Sequence, residues 1–150
     1  MRFLCLCFAA VLLASCGTRD QGLEALETRD VTLPNGRVIR AEVMLDLAPI
    51  DMQRGMMFRD SLAPDRGMLF IHSKPGLYTY WMYQVKIPLD IIWMDQNRRI
   101  VEISTNTPPC KTVASQCPTY GGHEQSRFVL ELAGGEVARN GLRVGQILVF

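Results

Sequence analysis

The chain has 150 residues and a mass of 16.9 kDa, enough for one folded domain and too little for two domains of ordinary size. Hydrophobic residues make up 48% of it and charged residues 21%, which excludes an intrinsically disordered chain. The 16 lysines and arginines almost balance the 15 aspartates and glutamates. We therefore expect neither a nucleic-acid partner nor a polybasic membrane-binding surface.

The first residues have the pattern of a bacterial lipoprotein signal. Arg2 precedes an apolar run, 3–13, which as a helix would span roughly 16 Å, about half the hydrocarbon core of a bilayer. A run this short is typical of a secretory signal peptide. Small residues then precede Cys16, as in the lipobox of bacterial lipoproteins. We predict a lipoprotein signal peptide over 1–15 and lipidation of Cys16; the alternative is an ordinary signal peptide cut nearby.

The five cysteines support that interpretation. Cys5 and Cys7 leave with the signal peptide and lipidation uses Cys16, so an even pair remains, Cys110 and Cys117. In an oxidising compartment such a pair is expected to form a disulfide. The sequence therefore predicts an exported protein that is anchored to the membrane by lipid and faces the periplasm or the cell exterior.

The rest of the chain divides into a charged tether at 16–29 and a single β-rich domain at 30–150. Near the start of the domain, Asn35 and Gly36 lie between two β-prone runs, which predicts a hairpin. Later, the segment 105–125 has little periodicity, three prolines and both cysteines of the expected disulfide. We interpret this segment as a long loop braced by the disulfide.

Two short helices and six further strands are expected in the domain. The helices run from Pro49 to about Phe58 and from Gly135 to Asn140, where Gly141 provides a C-terminal stop. The strand candidates share β-branched or aromatic composition and lie at 68–71, 77–83, 89–95, 99–104, 128–132 and 146–150. This spacing predicts a mainly β fold, of the β-rich α+β kind. We expect a small antiparallel barrel or sandwich-like sheet with one or two short helices.

Five sequence blocks of the domain together resemble a known family. The blocks are Arg54–Arg59, Gly67–Phe70, Tyr80–Met82 with Ile87–Asp95, Val129–Leu132 and Gly141–Gln146. In this order and spacing they resemble domain-of-unknown-function family 192, over about residues 30–150. The resemblance implies a small β-rich fold of a kind often exported in bacteria and archaea. It carries over no catalytic residue, because the family has no established biochemical role.

Two carboxylates in the predicted strands are candidates for acid–base chemistry. By the strand period of two, Asp90 shares a face with Ile92 and Met94, so it is expected to be half-buried. It could act as a general base or a ligand contact, or structurally accept backbone N–H groups or pair with a cation such as Arg59. Glu131 lies opposite the apolar face of its own strand. It either faces solvent or, if the two strands are neighbours, pairs with Asp90.

Aromatic side chains on both faces of the strand at 77–83 suggest a binding surface. Tyr80 and Trp81 point to opposite faces, so one face either packs in the core or forms a platform for a sugar or peptide. We take Tyr80, Trp81, Asp90 and Arg59 as the candidate binding residues. The expected ligand surface is a groove beside them, rimmed by the braced loop.

Metal and cofactor sites receive little support from the sequence. The eight methionines with His72 or His123 suggest copper, and Cys110, Cys117 and His123 suggest zinc. The methionines are scattered at core-like positions, however, and the cysteine spacing differs from that of common zinc sites. We therefore expect no metal and no cofactor, and keep a copper or zinc site as a third interpretation.

The chain contains none of the common motifs of nucleophilic catalysis, nucleotide binding or zinc hydrolysis. The most direct prediction is a lipid-anchored cell-envelope protein that acts as a ligand-binding or assembly module, with an envelope ligand or protein of unknown identity as its partner. The alternative is a small envelope hydrolase or transferase that uses Asp90 as acid or base.

Overall fold

The structure is a computed structural model that describes residues 27–46 and 49–150. The predicted signal peptide, the lipidation site Cys16 and most of the predicted tether lie outside the described residues. The last two tether positions, 28 and 29, already belong to the first strand. Within the described part of the chain, no helix is long and apolar enough to span a bilayer.

The described residues form a six-stranded sheet, a two-stranded sheet, two short α-helices and one 3-10 helix. In chain order the elements are β1 (Thr28–Thr32), β2 (Val38–Leu45), α1 (Pro49–Arg54), β3 (Arg66–Gly76), β4 (Thr79–Trp81), β5 (Leu89–Met94), β6 (Ile100–Thr107), the 3-10 helix (Ala114–Gln116), β7 (Thr119–Gly121), β8 (Ser126–Ala133) and α2 (Glu136–Asn140). The large sheet has the order β1-β2-β3-β8-β5-β6, and β4 pairs with β7. The fold is sandwich-like and mainly β, as predicted.

The predicted hairpin is present as β1 and β2, in which Val31 lies opposite Ile39. Its turn needs glycine at residue 36, where φ is 83°. The side chain of Asn35 accepts a hydrogen bond of 3.0 Å from the backbone N–H of Arg37. The local sequence is therefore sufficient to specify this element.

The sheet differs in two respects from an antiparallel barrel, which was one of the two predicted arrangements. First, β2 and β3 pair in parallel, with Val43 opposite Leu69, while the other strand pairs of the large sheet are antiparallel. The segment containing α1 joins these two strands and provides the crossover that a parallel pair requires. Second, the sheet is not closed into a barrel. The strand predicted at 146–150 forms only isolated bridges, one of them between Thr32 and Val149.

Apolar clusters cover both faces of the large sheet. The first core lies on the face covered by α2 and the C-terminal segment, and the second core lies on the face covered by α1 and the β4–β7 sheet. Central strand β5 is buried at all six positions because it contributes to both. Leu89, Ile91 and Trp93 belong to the second core, whereas Ile92 and Met94 belong to the first.

The small β4–β7 sheet packs closely over the second core. The indole N–H of Trp93 donates a 2.9 Å hydrogen bond to the backbone carbonyl of Tyr78. Gly121 in β7 approaches the indole so closely that a Cβ atom there would lie 2.2 Å from it. The predicted disulfide between Cys110 and Cys117 is confirmed. The backbone N–H of Cys110 also donates a 3.0 Å hydrogen bond to the carbonyl of Met82. This bond links the braced segment to the end of β4.

Candidate functional site

A cavity of about 480 Å³ opens on the second-core side of the sheet. Its floor is formed by side chains of β3 and β8, one wall by α1 and the residues that follow it, and the opposite wall by Tyr78–Trp81. We call it the Glu131 cavity, because its lining includes the buried carboxyl group of Glu131. Its volume is within the range of small-molecule sites in proteins.

Glu131 places a buried carboxyl group in the floor of this cavity. Its neighbours across the sheet are Met68 in β3 and Ile91 in β5, so it is a central position. The residue is 4% exposed, and its Oε2 atom has no hydrogen-bond partner among the described residues. Burial raises the pKa of the Glu131 carboxyl to about 8, although the nearby charge of Arg59 acts in the opposite direction. At neutral pH the carboxyl is therefore mainly protonated.

The alternative in which Glu131 faces solvent is contradicted by this burial. The strand period places Glu131 opposite the Leu130 and Leu132 face, as the sequence indicates. That opposite face is not exposed, however, because the second core covers it. The signal for burial was therefore missing from β8 itself and depended on elements elsewhere in the chain.

A chain of hydrogen bonds leads from the rim of the cavity to its interior. The side chains of Asp46 and His72 are 3.1 Å apart at Oδ1 and Nδ1, and His72 Nε2 is 3.1 Å from the hydroxyl of Tyr80. Tyr78 stacks on the His72 ring with their centroids 3.4 Å apart. The backbone N–H of Ser73 donates a 2.6 Å hydrogen bond to the other oxygen of Asp46. All three members of the Asp46–His72–Tyr80 chain line the cavity.

The protonation states of this chain follow from burial and charge. Burial lowers the pKa of His72 despite the favourable carboxylate of Asp46, so the imidazole is neutral at pH 7. Burial alone would raise the pKa of Asp46, but the N–H of Ser73 and the contact with His72 outweigh it and the pKa is lowered. Burial raises the pKa of Tyr80 well above its usual value. A neutral imidazole between a carboxylate and a phenol donates a hydrogen bond from Nδ1–H to Asp46 and accepts one at Nε2 from the Tyr80 hydroxyl.

Arg59 is held beside the cavity by Glu42. Its guanidinium donates two hydrogen bonds to the Glu42 carboxylate, one of them 2.7 Å long between NH1 and Oε1. The hydrogen bond with Glu42 raises the pKa of Arg59, so it is permanently charged. Arg59 is also near enough to Glu131 for its charge to affect that carboxyl. The structure therefore places this predicted binding residue within electrostatic range of Glu131, in an ion pair with Glu42.

The two aromatic candidates of β4 occupy different parts of the cavity. The Tyr80 ring packs edge-on against Phe70 and Trp93, at centroid distances of 5.1 and 6.0 Å. Trp81 is 37% exposed at the cavity rim and lies beside Tyr83, with ring centroids 5.3 Å apart. The alternation predicted for this strand is thus observed, with Tyr80 in the core and Trp81 at the surface.

Asp90 lies on the opposite face of the sheet from the cavity. Its carboxylate is fully buried and accepts 2.7 Å hydrogen bonds from the backbone N–H groups of Asn106 and Val137. It therefore ties β6 and the first turn of α2 to β5. Although β5 and β8 are neighbours, Asp90 is paired in register with Leu132, and Glu131 with Ile91, so the two carboxyls project to opposite faces. The structure does not bring Asp90 together with Tyr80, Trp81 or Glu131.

The side chains considered for metal binding are dispersed. Within the described residues, no three His, Cys, Asp or Glu side chains are placed to hold a metal ion. Cys110 and Cys117 are joined in the disulfide. His123 is exposed, and its Nδ1 atom lies 2.6 Å from the Glu102 carboxylate, whose hydrogen bond raises the pKa of His123.

Sequence reasoning missed Asp46 and the role of His72 in this site. A signal for His72 was available, since Met68, Phe70 and His72 alternate along β3 and so share one face. Asp46 follows the end of β2 and carried no comparable signal. It reaches His72 only because β2 and β3 pair in parallel, which local sequence does not specify.

Comparisons with known proteins agree with this fold. The DUF192 family, described as uncharacterized ACR, matches residues 31–150. A crystal structure of a protein of unknown function from Novosphingobium aromaticivorans is 30% identical, with a TM-score of 0.74 over 86% of this chain and 89% of that one. A second crystal structure, from Sinorhizobium meliloti and provisionally described as a transcription regulator, is 28% identical, with a TM-score of 0.74 over 85% of this chain and 97% of that one. Among curated proteins, none matches this chain.

Proposed function

Because the chain belongs to the DUF192 family of uncharacterised proteins, we propose from its own geometry that it is an exported, lipid-anchored protein that binds a small ligand in the Glu131 cavity. The observation that carries the binding proposal is the buried Oε2 atom of Glu131, which has no hydrogen-bond partner among the described residues. It lies in a concave site of ligand size, in which Asp46, His72 and Tyr80 are hydrogen-bonded to one another.

The energetic argument rests on the cost of an unpaired polar atom. A buried donor or acceptor without a partner destabilises a protein by about 1–3 kcal/mol. The fold satisfies the other carboxyl groups near this site, since Asp46 accepts from Ser73 and Glu42 accepts from Arg59. A ligand that forms a hydrogen bond or ion pair with Glu131 would recover this cost, and the apolar walls would contribute further through burial.

The binding proposal is tested by screening small molecules against the protein with NMR. We expect ligands to shift the amide signals of Glu131, His72 and Tyr80, and to leave those of Asn106 and Val137, on the other face, unchanged. Replacement of Glu131 by Leu should abolish these shifts. The matched control is Glu124→Gln at an exposed position. Shifts centred on the α2 face, or binding that persists in Glu131→Leu, would contradict the proposal.

The membrane anchor is proposed from the lipobox-like sequence before Cys16 and from the disulfide of the domain. The expected location is the cell envelope, with the domain facing the periplasm or the exterior. Mass spectrometry of the N-terminal peptide should find Cys16 acylated, and fractionation should find the protein with membranes. The Cys16→Ser variant should lose both properties. Unmodified full-length protein in the soluble interior of the cell would overturn this part of the proposal.

A second candidate function, an envelope hydrolase or transferase, is favoured by the buried carboxyl group of Glu131 in the lining of the cavity. A carboxyl group with a pKa of about 8 in a cavity is suited to general acid–base catalysis near neutral pH. In this case Glu131 replaces Asp90 as the acid or base, because Asp90 lies away from the cavity. Turnover of an envelope polymer that is lost in Glu131→Gln and retained in Asp90→Asn would establish this function.

The description of the Sinorhizobium relative suggests nucleic-acid binding as a further possibility. We expect none for this chain, because 16 basic residues against 15 acidic ones give little net positive charge to attract phosphates. A mobility-shift experiment at low salt tests this expectation, and salt-sensitive binding to duplex DNA would contradict it.

A further inference from the structure

The walls of the Glu131 cavity are rich in aromatic and thioether groups. Four aromatic rings line it, those of Phe70, Tyr78, Tyr80 and Trp81. Three methionines line the wall formed by α1 and the residues after it: Met52, Met56 and Met57. Aromatic faces attract cations through their negative quadrupole, and this attraction strengthens when the cation is removed from water.

The charged groups around the cavity favour a cationic ligand. Its lining includes two carboxyl groups, Glu131 in the floor and Asp46 near the rim. Arg54 also lines the cavity but is exposed at the end of α1. The guanidinium of Arg59 forms the ion pair with Glu42, and His72 is neutral because burial lowers its pKa. The buried part of the lining therefore offers carboxyl oxygens and aromatic rings.

Building on the proposed function, we infer that the ligand of the Glu131 cavity carries an organic ammonium group, held against the Glu131 carboxylate and the surrounding aromatic rings. A bare metal ion fits less well, because the cavity holds about 480 Å³ and its walls are largely apolar. The described residues also provide no group of three His, Cys, Asp or Glu side chains to coordinate a metal. An alkylated ammonium matches both the volume and the chemistry of these walls.

Binding of such a cation requires Glu131 to lose its proton to solvent. In the protein alone the Glu131 carboxyl is mainly protonated at pH 7, because its pKa is about 8. An ammonium group beside it stabilises the ionised form, so one proton is released for each ligand bound as the pH falls below about 8. The titratable groups that interact electrostatically with the Glu131 carboxylate are Tyr80 from β4 and Arg59, which is paired with Glu42. Tyr80 stays neutral and Arg59 stays charged in this range, because the pKa of each is raised.

The experiment uses choline, tetramethylammonium and butylammonium as probes, with 3,3-dimethylbutan-1-ol as the uncharged analogue of choline. Isothermal titration at several pH values, in two buffers with different ionisation enthalpies, measures affinity and proton release together. We expect at least one ammonium probe to bind roughly tenfold or more tightly than the alcohol, as an added cation–π and ion-pair contact implies. Its affinity should rise with pH and level off above about 8.

Three variants separate the contributions of the Glu131 carboxylate and the Trp81 ring to ammonium binding. Glu131→Gln keeps the size of the side chain and should weaken ammonium binding by roughly 30-fold or more, with no proton release. Trp81→Leu should weaken it by about 3- to 30-fold without changing proton release. Glu124→Gln, at an exposed position outside the cavity, is the matched control and should bind as the unaltered chain does.

The outcomes distinguish this inference from the proposed function. If the alcohol binds as tightly as choline, or if Glu131→Gln retains ammonium binding, the ammonium inference is overturned while the cavity remains a ligand site. If no ammonium probe binds but other small molecules shift the amide signal of Glu131 in the NMR screen, the ammonium inference fails and the proposed ligand-binding function stands. If neither the probes nor the screened molecules bind in the cavity, both proposals fail.

Discussion

Asp90 and Glu131 lie on neighbouring strands of one sheet, and each is almost completely buried. The hydrogen bonding of their carboxyl groups differs. On the first-core face, both oxygens of Asp90 accept backbone hydrogen bonds of 2.7 Å. On the second-core face, Oε2 of Glu131 has no partner within the described part of the chain and borders a cavity. A similar degree of burial thus accompanies a structural carboxylate on one face and an unsatisfied carboxyl on the other.

This difference in hydrogen bonding bears on which face of the sheet is functional. Asp90 joins β5, β6 and α2, and its desolvation is compensated by two N–H donors. The desolvation of Glu131 is only partly compensated by the charge of Arg59. Local arrangements that oppose stability are expected at functional sites rather than in structural cores. The comparison therefore favours the second-core face as the functional side of the sheet.

The largest effect is expected from Glu131→Gln, which removes the buried ionisable group. A pKa of about 8 in the folded state, raised from 4.5, corresponds to roughly 5 kcal/mol of lost stability once the pH exceeds about 8. Between these two values the unfolded chain has lost the Glu131 proton while the folded chain retains it, so stability falls as pH rises. The variant should therefore be more stable than the unaltered chain, by up to this amount at pH 9 and by little at pH 4.5.

Urea unfolding of both proteins from pH 4.5 to pH 9 measures this difference, with Glu124→Gln as the control. The free energy of unfolding of the control should follow that of the unaltered chain. A difference between Glu131→Gln and the unaltered chain that does not grow with pH would show that Glu131 is not held protonated by burial.

Asp90→Asn should act in the opposite direction. The amide can accept one of the two backbone hydrogen bonds, but it presents an NH₂ group to the other N–H. We expect a loss of about 3 kcal/mol in the free energy of unfolding, because hydrogen bonds to a charged acceptor contribute about 1.5–3 kcal/mol each. Denaturant unfolding checks this value. Hydrogen exchange should locate the loosening in α2 and β6, and equal loosening around the cavity would remove the contrast between the two faces.

Replacement of both Cys110 and Cys117 by Ser should destabilise the cavity side of the molecule. The disulfide closes a loop of eight residues, which the chain-entropy relation values at about 2.5 kcal/mol. Because Cys110 is tied to Met82 at the end of β4, faster hydrogen exchange is expected in β4 and β7. The exchange of α2, on the other face, serves as the internal control. Reduction of the unaltered protein should give the same pattern.

The smallest effect on stability is expected from Arg59→Gln. Loss of the partly exposed ion pair with Glu42 should cost about 1 kcal/mol. The positive charge that lowers the pKa of Glu131 is also removed, so this pKa should move upward from about 8. Carbon-13 NMR titration of the Glu131 carboxyl measures the change directly. An unchanged or lower pKa would mean that Arg59 does not tune this group.

Much of the fold could be predicted because its signals are local. Asn35 and Gly36 specify the hairpin through the backbone conformation of its turn, and Gly141 ends α2 in the left-handed conformation. The disulfide followed from the cysteine count together with the predicted export. The parallel pairing of β2 with β3 could not be predicted in this way, because both strands are compatible with either direction. The strand β7 was also missed, since its three residues lie in a segment with the composition of a loop.

The sequence by itself determined most of the strands, the hairpin, the disulfide pair and which side chains share a face, because these depend on turn chemistry, cysteine count and the strand period of two. Only the tertiary structure decided which faces are covered. The sequence of a strand does not specify which elements pack on it. The burial of Glu131 therefore depends on α1 and the β4–β7 sheet, which cover its face. For the same reason the chain from Asp46 through His72 to Tyr80 joins three strand regions that approach one another only in the folded molecule.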